Sequence, residues 1–343
     1  MSSKTTVLIT GATGYVGGSL LSHLLKRQDA SSFEFRALVR SSDKAEKLKA
    51  FGVVPVLGSH SDKELMISAA SEVDVVIAMA DSDDLEAAEA TLAGLKKHYE
   101  KTGKRSILIH TSGIANIGDN TDGNQTSDNI YADDDVEKID RIPATNLHRH
   151  VDVRIAAADD EGYVRTYIVI PSAVYTPAQN VFVDAGISNP AVSIFNSLVP
   201  IAIQRGQGFT IGAGVNVCPC VHIDELVDIY ERLLNSVLKD ADKTPHGRAG
   251  YHFAASDEFR MGDVYEGIAK ALFELGKAKS PELTQLTKEE RERYLGPYAT
   301  AFSSNQRCRS NNARKLGWKP TKTTKDFLAT IRGEVKYRLK NVV

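Results

Sequence analysis

The most constraining feature of this chain is a single turn near its start. An apolar strand over 5–10 runs into Thr10-Gly11-Ala12-Thr13-Gly14-Tyr15-Val16-Gly17, which opens directly onto an amphipathic helix. In that helix Val16, Leu20, Leu21, Leu24 and Leu25 recur at helical spacing, while Ser19, His23 and Lys26 face away. A chain that reverses this tightly needs a residue without Cβ at the bend, backbone that can approach a ligand closely, and a helix that packs hard on its sheet. Gly11, Gly14 and Gly17 meet those three needs. Free N–H groups at the helix start, reinforced by the helix dipole, then favour a diphosphate. A glycine triplet alone would say little; the strand before it and the helix after it supply the context the motif requires.

The rest of the first half repeats the pattern. Strands are expected at 34–39, 53–56, 74–79, 106–111 and 164–170, and a long helix at 84–101 with Leu85, Ala88, Leu92, Leu95 and Tyr99 on one face. Alternating strands and helices predict an α/β fold, a Rossmann-type doubly wound parallel sheet with a smaller C-terminal substrate lobe. The boundary is drawn with 1–175 as the dinucleotide-binding domain and 176–343 mainly as the substrate lobe, segments at about 215–240 and 250–256 returning to the Rossmann core. Residues 116–143 are polar and carry Asp133-Asp134-Asp135, which reads as a long surface loop, either closing over a site or simply solvated. Beyond it Pro177, Asn189-Pro190 and Pro200 break the pattern, before helices at about 224–238 and 261–275 and a terminal helix.

Composition narrows the partners. With 42% hydrophobic and 25% charged residues and a net charge of -2, the chain lacks the basic block that nucleic acid demands. Its apolar runs, such as Val75 to Ala80, fall far short of the roughly 20 residues that span a bilayer, and Met1 to Thr6 precedes no signal-like apolar stretch, so no membrane partner and a cytoplasmic location are expected. Cys218, Cys220 and Cys308 fit neither a disulfide framework nor a zinc site; no metal is expected, and the thiols read as buried and reduced.

The second strand decides the nucleotide. Sites selective for NAD place a carboxylate about 20 residues beyond the glycine turn, whereas an arginine there accommodates a 2′-phosphate. Here Phe35-Arg36-Ala37-Leu38-Val39 ends in Arg40, with Ser41, Ser42 and Lys44 in reach, so NADP(H) is the expected cofactor; Asp43 keeps NAD(H) as the alternative.

Over nearly its whole length the sequence resembles the extended short-chain dehydrogenase/reductases, the family of sugar epimerases and dihydroflavonol-type reductases. The resemblance rests on Gly11 to Gly17, Val39-Arg40, Val75 to Ala80, Thr111-Ser112, Ile170 to Tyr175, Val221 to Leu226 and Lys315 to Pro320. It implies that Ser59-His60 lies beside the adenine, Ala78, Met79 and Ala80 beside the adenosine ribose and pyrophosphate, and Pro171 to Val174 against the nicotinamide; Thr111 is also expected to bind the cofactor.

The chain also departs from that family. The usual tyrosine and the lysine four residues after it fall on Ala144 and His148, the family's later acidic residue on Asp152, and its serine on Gly113, one beyond Ser112. The reading this favours is an NADP(H)-dependent reductase that moves hydride to or from a carbonyl or alcohol with a rebuilt proton donor. Candidates are His148 or His150, or Tyr131 from the polar loop, helped by Ser112. His148-Arg149-His150 also reads as a solvated helix start. The alternatives are an NADP(H)-binding redox reporter without turnover and, last, a nucleotide-sugar epimerase or dehydratase. Tyr294, Tyr298, Phe302, Arg307 and Arg309 are expected near the substrate pocket, whereas His222 and Asp224 read as a helix entry.

Overall fold

The computed structural model describes residues 4–190 and 193–341. Seven parallel strands form the central sheet in the order Tyr251–Ala254, Val164–Pro171, Ser106–Thr111, Val75–Ala78, Thr5–Ile9, Phe33–Val39, Val54–Leu57. The six strands read from the sequence appear within a residue or so of their expected bounds. Strands in such a sheet are buried on both faces, and the residues obey a period of two. Val7, Ile9, Val75, Ile77, Ile107 and Ile109 enter one core with helices Tyr15–Leu24 and Ile223–Asp240. Leu8, Val76, Leu108, Ile168 and Ile170 enter the other, beneath helices Leu85–Thr102 and Arg149–Asp160.

The strand order reverses direction at Thr5–Ile9, between Val75–Ala78 and Phe33–Val39. In open α/β sheets that reversal leaves a crevice at the carboxyl ends of the strands, where the glycine turn sits. A second core, built on the three-stranded sheet Asp257–Arg260, Val217–His222 and Ala173–Tyr175 with helices Ser193–Arg205, Met261–Glu274 and Thr324–Asn341, stands over this end.

Three expectations need correction. Leu85 and Tyr99 lie exposed while Ala88, Leu92 and Leu95 of the same helix are buried, so its apolar stripe is narrower than its spacing suggested. Pro200 does not break the chain but lies inside helix Ser193–Arg205, flanked by the buried Leu198, Val199 and Ile201. The segment 116–143 is no plain solvated loop. It holds helix Val136–Asp140, and its acidic run is an anchor. Asp133 is fully buried and accepts the backbone N–H groups of Phe253 (2.9 Å) and Asn312 (2.9 Å). Asp134 holds Lys315 at 2.8 Å, and Asp135 caps the helix through Lys138 N.

Candidate active site

The glycine turn is built as its chemistry requires. Gly11 has φ +66°, and a Cβ there would lie 2.5 Å from the carbonyl oxygen of Met79. On Gly17 a Cβ would lie 2.3 Å from the carbonyl oxygen of Gly11, so the helix seats directly on the turn. Thr10 ties the turn to the fourth strand by accepting Met79 N–H on Oγ1 at 3.0 Å. Gly14 begins the helix, and no side chain caps it. Its first N–H groups are therefore free to meet an anion.

Beside the turn lies a cavity of about 380 Å³ lined by Gly11, Thr13, Gly14, Arg40, Lys44, His60, Met79 and Ala80, together with Leu38, Val39, Gly58 and Asn189. Arg40 is exposed at its rim, and neither Arg40 nor Lys44 meets a carboxylate among the described residues. Asp43, the residue that left room for NAD(H), is held by Lys47 at 3.0 Å and does not line the cavity. His60 approaches Asp84 at 3.4 Å and joins Ala78, Ala80 and His110 around a small adjoining recess. This cradle fits a dinucleotide: clear backbone, an open helix start and two unneutralised cations. Tyr15 and Gly17 stand behind it. The Tyr15 hydroxyl donates to the carbonyls of Tyr175 and Thr176, binding the turn to the second lobe.

On the other side of the turn Val16 borders a second cavity, of about 370 Å³. The sheet side contributes Thr111, Ser112, Gly113, Pro171 and Val174, and the second lobe contributes Ile194, Ser197, Cys218, Phe259, Met261, Ala301, Phe302 and Gln306. His148 also enters it. That residue precedes helix Arg149–Asp160 with φ +68°, a conformation unusual for a side chain other than glycine. One carboxylate holds it there: Asp83 Oδ1 accepts both its backbone N–H (3.0 Å) and ring Nδ1 (2.9 Å), with Ser82 Oγ also 2.9 Å from Nδ1. With Nδ1 so engaged, Nε2 is presented to Gly113. A Cβ on Gly113 would lie 2.7 Å from that nitrogen, so the glycine leaves room for the imidazole.

Ser112 lines the same cavity, and its Oγ donates to Asp152 Oδ2 at 2.9 Å, where Asn116 Nδ2 also donates at 2.9 Å. Burial pushes the Asp152 carboxyl up from its ordinary range, against the pull of those two bonds. His110 Nε2 stands 3.8 Å from Asp152 Oδ1, and burial holds that histidine down to about 4, so it is neutral.

The remaining expectations do not converge here. Tyr131 pairs through its short strand with Cys308–Arg309, under the Lys138 ammonium, and lies outside the cavity. His150 is exposed and bonds the Asp83 carbonyl. Arg149, between the two histidines, turns inward to Tyr251 Oη (2.7 Å) and the Ile139 carbonyl (2.9 Å), so the triplet is not a solvated helix start. Phe302 lines the cavity; Tyr298 is exposed, Tyr294 lies against Arg293, and Arg307 and Arg309 are paired with Glu258. His222 caps helix Ile223–Asp240 by accepting Asp224 N–H. Cys218 is pushed up to about 12 by burial, which makes it a wall rather than a nucleophile. Among the described residues no group of His, Cys, Asp or Glu is arranged to hold a metal, and no helix is long and apolar enough to cross a membrane. Sequence reasoning missed Asp83; its signal was the run Asp81-Ser82-Asp83-Asp84 directly after the fourth strand, at the sheet end where ligands gather.

Residues 3–96 match the NmrA-like family. Over 332 residues, 92% of each chain, the sequence is 27% identical to the oxidase ucsJ of Acremonium. Over 118 residues, 32% of this chain and 34% of the other, it is 35% identical to the 4-hydroxy-2-methyl-3-oxo-4-farnesyl-3,4-dihydroquinoline-1-oxide ketoreductase of Stigmatella aurantiaca. The structure of UDP-glucose 4-epimerase from Thermotoga maritima superposes with a TM-score of 0.63 at 15% identity, over 99% of this chain and 100% of that one. The NAD complex of dTDP-glucose 4,6-dehydratase from Bacillus anthracis gives 0.63 at 15% identity, over 98% and 97%. These likenesses show a Rossmann-type fold shared with that epimerase and that dehydratase, and an opening segment similar to the NmrA-like family.

Proposed function

We propose that this chain is an NADP(H)-dependent oxidoreductase that transfers hydride to or from a carbonyl or alcohol, with His148 as the proton donor. The observation that carries the proposal is the Asp83–His148 pair, whose Nδ1 is engaged at 2.9 Å while Nε2 faces the cavity beside Ser112. A bound nicotinamide supplies the hydride; the chain's own residues supply position and the proton. Ser112, on the strand end, lines the site beside the substrate oxygen, its own proton given to Asp152 Oδ2 at 2.9 Å. As hydride reaches the carbonyl carbon, the oxygen takes a proton from His148 Nε2, and Asp83 stabilises the imidazolium before transfer and fixes its tautomer afterwards. In the reverse direction the same nitrogen accepts the alcohol proton. Histidine suits the task because its ordinary pKa lies near neutrality, and general acid catalysis of this kind is worth about 10²–10⁴-fold.

Preference for NADP(H) is supported by Arg40 and Lys44, which stand at the adenosine end without carboxylate partners, and by the engagement of Asp43 with Lys47. Turnover is favoured over redox reporting because a reporter needs neither a formed second cavity nor a histidine oriented into it.

The test is an absorbance screen for NADPH consumption over aldehydes and ketones, followed by His148→Ala and Asp83→Asn. His148→Ala is expected to lower kcat by about 10²-fold or more without weakening NADPH binding. Losing a charge-assisted bond, Asp83→Asn is expected to lower kcat by about 10–100-fold, again with KM little changed. Full activity in His148→Ala would sink the assignment.

A further inference from the structure

We infer that the second cavity takes a neutral, predominantly apolar ketone or aldehyde, and that it excludes substrates bearing a carboxylate or phosphate. The inference rests on reading this cavity as the carbonyl site. Among the described residues no lysine, arginine, aspartate or glutamate lines it, and its walls are side chains such as Val174, Ile194, Phe259, Met261 and Phe302.

The cations near the wall in sequence are committed elsewhere, Arg260 to Asp263 at 2.9 Å and Arg149 to the Tyr251 hydroxyl at 2.7 Å. Arg307 Nη2 lies 3.0 Å from Glu258, Arg309 Nη1 lies 3.3 Å from the same carboxylate, and Arg291 is paired with Asp122. An anion entering such a pocket would shed its hydration and meet only the His148 imidazolium, whose charge Asp83 already offsets, at a cost of several kcal/mol per ion.

The polar groups on the wall mark where oxygen atoms belong. Thr111 Oγ1 is bonded to the Tyr230 hydroxyl at 2.7 Å, Ser172 Oγ donates to the Ala254 carbonyl at 2.7 Å, and Gln306 Nε2 donates to the Ala301 carbonyl at 2.9 Å. These are spoken for by the fold. Ser112 Oγ likewise gives its proton to Asp152 and offers only its lone pairs; His148 Nε2 stands beside it, and across the cavity lies Ser197 on helix Ser193–Arg205, which has no side-chain partner among the described residues. A ligand matched to this wall carries its carbonyl at one end and at most one further neutral hydrogen-bonding group opposite, joined by hydrocarbon. At about 370 Å³, shared with the nicotinamide beside Pro171 to Val174, the cavity lies toward the small end of the ~300–1,000 Å³ typical of small-molecule sites, which suits a substrate no larger than a single ring. A nucleoside-diphosphate sugar does not match it, because nothing there answers its diphosphate.

The experiment compares two aryl ketones that differ in one group, 4′-methylacetophenone and 4-acetylbenzoate, binding to the full chain saturated with NADPH, by calorimetry, with NADPH absorbance followed in parallel. The neutral ketone is expected to bind at least about 100-fold more tightly than the carboxylate. Ser197→Arg, which places a cation on the wall, is expected to narrow that ratio to below about tenfold. Affinities within threefold of one another in the wild type, tighter binding of the carboxylate, or binding of neither compound overturns the inference. If the neutral ketone binds but no NADPH is consumed, the substrate class stands and the proposed reduction fails. If 4-acetylbenzoate is the compound reduced, the reduction stands and the class fails.

Discussion

Replacing Arg40 by aspartate should invert the nucleotide preference, and the structure allows the size of the effect to be worked out. A hydrogen bond from a guanidinium to a phosphate is worth about 1.5–3 kcal/mol where it is sheltered. Arg40 is exposed at the rim of its cavity, so solvent screening reduces that to about 1–2 kcal/mol. A carboxylate in its place adds repulsion toward the 2′-phosphate of about 1 kcal/mol, the value for charges 4 Å apart in water. The sum, about 2–3 kcal/mol, corresponds to a loss of roughly 30–150-fold in NADPH affinity. NADH, which has no 2′-phosphate, supplies the internal control: its affinity should hold or improve, because the new carboxylate can accept from the ribose hydroxyls. Paired calorimetric titrations at two ionic strengths read both quantities, and the NADPH term should shrink in salt while the NADH term does not. The reasoning is refuted if Arg40→Asp weakens both nucleotides equally, or leaves their ratio unchanged.

Other expectations follow from the same geometry. Gly11→Ala sets a Cβ 2.5 Å from the Met79 carbonyl at φ +66°, and should lower stability by about 2–4 kcal/mol and weaken both nucleotides, read by thermal unfolding and calorimetry. His252 is fully buried and held down to about 4, so the unfolded chain takes up its proton first as pH falls from 6.5. Stability is therefore lost between about pH 6.5 and 4, and His252→Gln should gain up to about 3 kcal/mol on the wild type at pH 4 compared with pH 7. Asp133 acts in the opposite sense, because burial pushes its carboxyl up to about 7 and the native state holds the proton longer. Its ionisation costs stability as pH rises from about 4 to 7, so Asp133→Asn should be less harmful at pH 8 than at pH 5, by up to about 3 kcal/mol. Because these two windows overlap with opposite signs, denaturant titrations of each variant against the wild type are required; parallel wild-type and variant pH curves would refute either assignment.

Much of the fold was legible because its causes are local. Strands buried on both faces declare themselves as unbroken apolar runs, such as Val75 to Ala78, and helix Tyr15–Leu24 by its spacing. The second half was less legible where local signals misled. Pro200 carries a breaker's chemistry, yet burial of its helix neighbours outweighs it. The Asp133 run has the composition of a solvated loop, yet two backbone N–H groups more than 100 residues away, at Phe253 and Asn312, draw it inside.

The sequence by itself determined the Rossmann sheet, the tight glycine turn and the cation at Arg40, since each depends on residues adjacent along one strand, turn or helix. Only the tertiary structure brings His148, and neither His150 nor Tyr131, to the second cavity, because its partner Asp83 lies 65 positions away and the room for its ring comes from Gly113 on another strand end. It also keeps Arg307 and Arg309 off the cavity wall: both read equally well as pocket cations until the fold brings Glu258 to them. Periodicity records which face of an element is buried, but not which distant side chain it will meet there.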